Sequence, residues 1–176
     1  MKISVFSLLA ATMVAFAVPA LADKTTGEHV DDGTIVTDVK ARLLDAKGVP
    51  SNDVNVEVYK GVVLLSGFVP TNDAKAGAEA AAKRAGGVVK VHNAITVHPK
   101  TSFGSKIDDT ALVGKVKAAL IDAKDVDAGS INVEARDSIV QLGGFVAGQG
   151  AKDRALAITK GVKGVKGVQD ALYVKP

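Results

Sequence analysis

The chain has no cysteine and no tryptophan among its 176 residues, and only five Phe and two Tyr. Without cysteine there is no disulfide framework, no thiolate nucleophile, no thiolate zinc site and no thiol to carry a lipid anchor. Scarce aromatics leave few stacking platforms for sugars or bases; Tyr59 and Tyr173 are the candidates. Charge of one sign is also lacking. Twenty-two Lys and Arg face nineteen Asp and Glu, a formal +3 interspersed along the chain, so the concentrated basic stripe of a nucleic-acid binder is absent. No Gly-x-Ser-x-Gly, His-Glu-x-x-His or phosphate-loop pattern occurs, which argues against an enzyme and implies no cofactor.

One long apolar run is present. Lys2 is followed by apolar residues from Ile3 to Val18, then Pro19 and Ala20-Leu21-Ala22. This pattern reads as a secretory leader, residues 1–22, cut after Ala22. The run is short for a spanning helix, which needs about 20 residues, so the expected product is soluble, exported and unanchored. Residues 23–29 read as a flexible segment.

The rest of the chain says the same thing twice. Residues 30–99 align with 107–176 at a constant offset of 77, without a gap, and 30 of the 70 positions are identical. About 70 residues close one small core, so each copy is a domain and not a solenoid unit. Residues 100–106 are the expected linker.

Within each copy, Ile35, Val36, Val39, Leu43 and Leu44, matched by Leu112, Val113, Val116, Leu120 and Ile121, recur at helical spacing. Asp32 and Asp109 are expected to act as N-caps of these helices or to favour their positive ends. Period-two alternation then gives two strands, Val54, Val56, Val58 with Val63, Leu65, and Ile131, Val133, Ala135 with Val140, Leu142. Lys60-Gly61 and Asp137-Ser138 are the turn dipeptides. Gly67 and Gly144 interrupt the second strand and read as structural glycines, placed where a bulge or close backbone approach forbids a side chain. An Ala-rich helix to Ala85, or from Ala151 to Lys160, and a third strand through Val91, Ile95, Val97 or Val168, Leu172, Val174 complete each unit. The fold class is therefore α+β: two tandem α-β-β-α-β domains, each a three-stranded sheet with two helices packed on one face. The opposite face, bearing Asn55, Glu57, Tyr59 and Leu64, is expected to be mostly polar and open, with the other copy covering part of it.

This α-β-β-α-β repeat, with Leu65-Ser66-Gly67-Phe68-Val69 and Gly87-Val88-Val89-Lys90-Val91-His92-Asn93 answered by Leu142-Gly143-Gly144-Phe145-Val146 and Gly164-Val165-Lys166-Gly167-Val168-Gln169-Asp170, resembles the BON domain. A leader followed by two such domains resembles the osmotically inducible periplasmic proteins of Gram-negative bacteria. The resemblance implies a non-enzymatic periplasmic envelope or osmotic stress protein that binds phospholipid surfaces weakly. The alternative it implies is a chaperone (holdase) for unfolded periplasmic or outer-membrane polypeptides.

For lipid contact the candidates are Lys115 and Lys117 on the first helix of the second copy, and Lys163 and Lys166 in its Lys-Gly-Val stretch, each contributing on the order of 1 kcal/mol near an anionic membrane. Asn55 and Glu57, duplicated as Asn132 and Glu134, read as a solvated polar face or as partners of a neighbouring loop. His92 and His98 read as surface residues, and no metal site is expected.

Overall fold

The computed structural model describes residues 31–98 and 103–175. The expected leader with its cut after Ala22, the segment 23–29 and the start of the linker lie outside the described residues. In the first copy, α1 (Asp32–Asp45) places Ile35, Val39 and Leu43 on one buried stripe, spaced four residues apart. The hairpin β1 (Val54–Tyr59) and β2 (Val62–Val69) follows, then α2 (Asn72–Lys83), whose first turn is capped by Thr71 Oγ1 accepting from the Ala74 amide at 3.1 Å. Strands β3 (Lys90–Asn93) and β4 (Thr96–Val97) run parallel to β2 on the side away from β1. The second copy repeats the order with α3 (Phe103–Ile121), β5 (Ile131–Arg136), β6 (Ile139–Val146), α4 (Gln149–Gly161) and β7 (Gly167–Val174). β6 is the central strand, antiparallel to β5 and parallel to β7.

The fold class stands, with three local corrections. Helix α3 starts at Phe103, inside the expected linker. The third strand of the first copy divides at Ala94–Ile95 where the Ala94 carbonyl turns to a side chain of the other copy, although the Ala94 amide still donates to the Leu65 carbonyl at 2.8 Å.

The third correction concerns the aspartates. Asp31, not Asp32, occupies the N-cap of α1 and makes no side-chain capping bond; Asp32 stands in the first turn, at the positive end of the helix, and Asp109 lies inside α3. Both carboxylates instead grip the hairpin turns. Asp32 accepts from the amides of Lys60 and Gly61 at 2.7 and 2.8 Å, and Asp109 from those of Asp137 and Ser138 at 2.8 and 2.9 Å. Those turns have positive φ at both central residues, 50° and 75° in one copy and 53° and 67° in the other, the twist that suits a two-residue hairpin. A left-handed turn aligns two neighbouring N–H groups, and a carboxylate on the helix answers both with charge-assisted bonds. Replacing Asp32 with Ala is expected to cost about 2 kcal/mol, read by urea unfolding, with Asp32→Asn losing less.

The two sheets pack against each other through the faces expected to be open. Along β2, Val63, Leu65 and Val69 join the helix-side core, while Leu64, Ser66 and Phe68 on the other side are equally buried. The same holds for Gln141 and Phe145 of β6. A strand buried on both faces lies at the centre of a layered structure. The result is helices, sheet, sheet, helices, with the helix-side cores outside and the joint between copies in the middle.

Candidate functional site: two unequal grooves between the repeats

A pseudo-two-fold relates the copies across this joint. Its axis passes beside Ser66 and its own equivalent Gly143, where a side chain on Gly143 would come within 2.5 Å of Ser66 Oγ. Around that point the Asn55 amide donates to the Glu134 carboxylate, and Gln141 reaches across to accept from the Gly67 amide. The Gln141 amide also donates to the Ala94 carbonyl and Thr96 Oγ1, both at 2.9 Å. Tyr59 packs on Phe145, Tyr173 on His92, and the His98 ring meets Phe68 edge-on. His92 thus meets the other copy through Tyr173 and His98 through the Asp137 carboxylate at 3.7 Å, both half-buried at the joint, and burial, with Lys90 nearby, pushes the His92 pKa down. Both tyrosines are likewise engaged.

Asn55, Glu57 and Glu134, expected on a solvated face or as partners of a neighbouring loop, belong to this joint as well. Burial pushes the Glu57 carboxyl up to about 7. Glu134 is raised by the same cause, against which the Asn55 bond acts. No group of three or more metal-ligating side chains occurs among the described residues.

Two grooves open where the crossed sheets diverge. The larger, about 910 Å³, is lined by the whole of β1, by Val36 and Lys40 of α1, by Lys117, Leu120 and Ile121 of α3, by residues 128–133 leading into β5, and by Phe145 and Lys175. The smaller, about 300 Å³, is its pseudo-symmetric counterpart, bordered by Val113, Val133–Arg136, Phe68 and Asp53. Divergence at a few positions makes them unequal. Arg136 stands where the first copy has Tyr59, reaches Asp53 at 3.8 Å and lies over the Phe68 ring, so it spans the smaller groove. In the larger groove Ser130 replaces Asp53 and Lys175 replaces His98, leaving the space open with three lysines against one glutamate.

The BON domain family matches residues 31–99 and 108–176. The chain belongs to that family. It is 36% identical over 151 residues to Osmotically-inducible protein Y of Escherichia coli (strain K12), covering 85% of this chain and 75% of that protein. It is also 36% identical over 146 residues to Outer membrane lipoprotein DolP of Haemophilus influenzae, covering 82% and 75%. Among solved structures, CdsD, a structural protein of the Type III secretion system of Chlamydia trachomatis, aligns at a TM-score of 0.34 and 13% identity, covering 84% of this chain and 65% of that one, too remote to bear on function.

The structure disperses the four lysines singled out on this BON-domain chain. Lys115 and Lys117 are about 200° apart around α3, and only Lys117 borders the larger groove. Lys163 and Lys166 are exposed in the loop after α4. That loop packs on Leu112 through Gly164, about 14 Å along α3 from Ile121. Spacing along the chain missed Lys40 and Lys175, which meet Lys117 at the groove. The alignment of the copies held part of the signal, since Lys40 and Lys117 are the same position twice. Gly67 and Gly144 fall where they were placed, each with positive φ.

Proposed function

We propose that this chain is a non-enzymatic envelope stress protein, exported to the periplasm, that binds anionic phospholipid surfaces weakly and peripherally through its BON domains. The observation that carries the reading is a basic-apolar stripe present in both copies. Lys40 precedes Leu44 by four residues on α1, and Lys117 precedes Ile121 by four on α3, so each pair shares a helix face. Leu44 and Ile121 are each 70% exposed, two of the four exposed large hydrophobics among the described residues. Lys40, Lys117 and Ile121 border the same groove. An aliphatic tip beside a lysine suits the boundary between headgroups and acyl chains, where the tip enters and the ammonium stays with phosphate. No helix among the described residues is long and apolar enough to cross a membrane, in keeping with contact at the surface. The names of the relatives, one osmotically inducible and one an outer membrane lipoprotein, support the envelope setting.

Sedimentation of the leaderless chain with phosphatidylglycerol vesicles tests this. Pelleting at low salt that falls at 0.5 M NaCl, and falls at least tenfold in the Lys40→Glu, Lys117→Glu double variant, is the expected result. Lys163→Glu is expected to change it less than threefold. Equal pelleting with neutral vesicles, or none at any salt, would reject the reading.

A further inference from the structure

We infer that the larger groove captures an extended, acidic polypeptide segment by adding it as a new strand along the edge of β1. All six residues from Val54 to Tyr59 line this groove. Successive side chains of a strand point to opposite faces, so six in a row border one space only when that space runs along the strand's backbone edge. Among the described residues β1 pairs with β2 on one side and with no strand on the other.

The ladder identifies which groups look into the groove. A two-residue turn closes on Tyr59 and Val62, the pair that exchanges backbone bonds, and bonded pairs alternate from there. Asn55, Glu57 and Tyr59 therefore bond to β2. The carbonyls of Val54, Val56 and Val58 and the amides of Val56 and Val58 face the groove, while the Val54 amide is already held by the Ser51 carbonyl. That alternation is what a guest strand reads in strand addition.

Proteins blunt unpaired edges with proline, bulges or charges on the strand. β1 carries no proline and no lysine, and its one charge, Glu57, points toward the other copy. Of the equivalent strand, β5, only Ile131, Asn132 and Val133 reach the larger groove, and the stretch from Val133 to Arg136 borders the small groove that Arg136 spans. One edge of the pair is thus kept open.

Charge selects the occupant. Lys40, Lys117 and Lys175 line the groove with Glu57 as the only acid, beside Val36, Leu120, Ile121 and Phe145. A segment alternating acidic and apolar residues matches this lining. A second copy of this chain docking edge to edge would bring its own three lysines against these. The inference does not rest on the membrane reading, and it gives the holdase expectation a defined place to act.

The probe is a fluorescein-labelled eight-residue peptide alternating Val and Glu, titrated with the leaderless chain and followed by anisotropy. Saturable binding is expected, weakened at least tenfold when the backbone is N-methylated at one alternate set of residues and retained when the other set is methylated. Val58→Pro removes a groove-facing amide at an edge position that tolerates proline. It is expected to lose binding at least tenfold with its far-UV spectrum and vesicle pelleting unchanged. The inference is overturned if the parent peptide does not bind, if both methylated peptides bind like the parent, as side-chain or lipid-like capture requires, or if the chain alone dimerises through this edge in sedimentation velocity.

Discussion

Gly67→Ala is expected to remove most of the stability of the first repeat. The φ of Gly67 is +119°, and a Cβ there would lie 2.2 Å from the Asp53 carbonyl oxygen. That neighbour is backbone, fixed by the entry into β1, and cannot swing aside as a side-chain tip would. Strain of this kind together with the steric overlap costs on the order of 4 kcal/mol, comparable with the roughly 5 kcal/mol holding a unit of this size. Gly144→Ala repeats the experiment in the other copy, where the Cβ would meet the Ser130 carbonyl at 2.1 Å. Gly48→Ala is the control. Its φ is also positive, at +78°, yet nothing lies within 4 Å, so only the backbone preference of about 1 kcal/mol is lost. Urea unfolding followed by circular dichroism separates these cases, and a Gly67→Ala loss no larger than that of Gly48→Ala would show that the Asp53 backbone yields.

The second large effect is one of pH. The unfolded chain ionises Glu57 near 4.5, whereas burial in the joint raises the folded value to about 7. Between those values the folded protein holds a proton that the unfolded chain has given up, so stability falls as pH rises. The loss begins near 4.5 and is complete above about 7. The full shift would correspond to about 3 kcal/mol, reduced to about 2 kcal/mol because solvent reaches part of this carboxyl. Glu134, also raised, adds in the same direction. Urea midpoints from pH 5 to pH 8 are expected to decline in the wild type and to flatten in Glu57→Gln, which becomes the more stable of the two at pH 8. A midpoint that rises with pH over this window would mean that the joint does not bury this group.

The element order, the duplicated core and the two structural glycines were legible because periodicity and punctuation are local signals. How fully the other copy covers the second sheet face was not. Asn55, Glu57 and Gln141 are polar, and a polar residue on alternate positions reads as solvent-facing until the opposing surface is known. A contrary hint was present in Val62-Val63-Leu64-Leu65, an unbroken apolar run of the kind a strand shows when both its faces are covered. The aspartates were misplaced for a similar reason: a carboxylate near a helix start suits a cap, and only the return of the hairpin to that helix reveals two amides competing for it. For the lysines, linear spacing joined Lys115 to Lys117, while the chain's path joined Lys117 to Lys40 and Lys175.

The meeting of Ser66 with Gly143 bears on how the halves recognise each other. A protein made of one repeat would meet its own copy across the same two-fold, as an ordinary symmetric homodimer does, and there Ser66 would collide with Ser66. In the joined chain one position is glycine where the other holds a hydroxyl, and Leu64 is apolar where Gln141 accepts from the opposite strand. The halves have become a lock and its key, each shaped to the other and neither to itself. Two separately made repeats should therefore associate as unlike partners before either pairs with its twin.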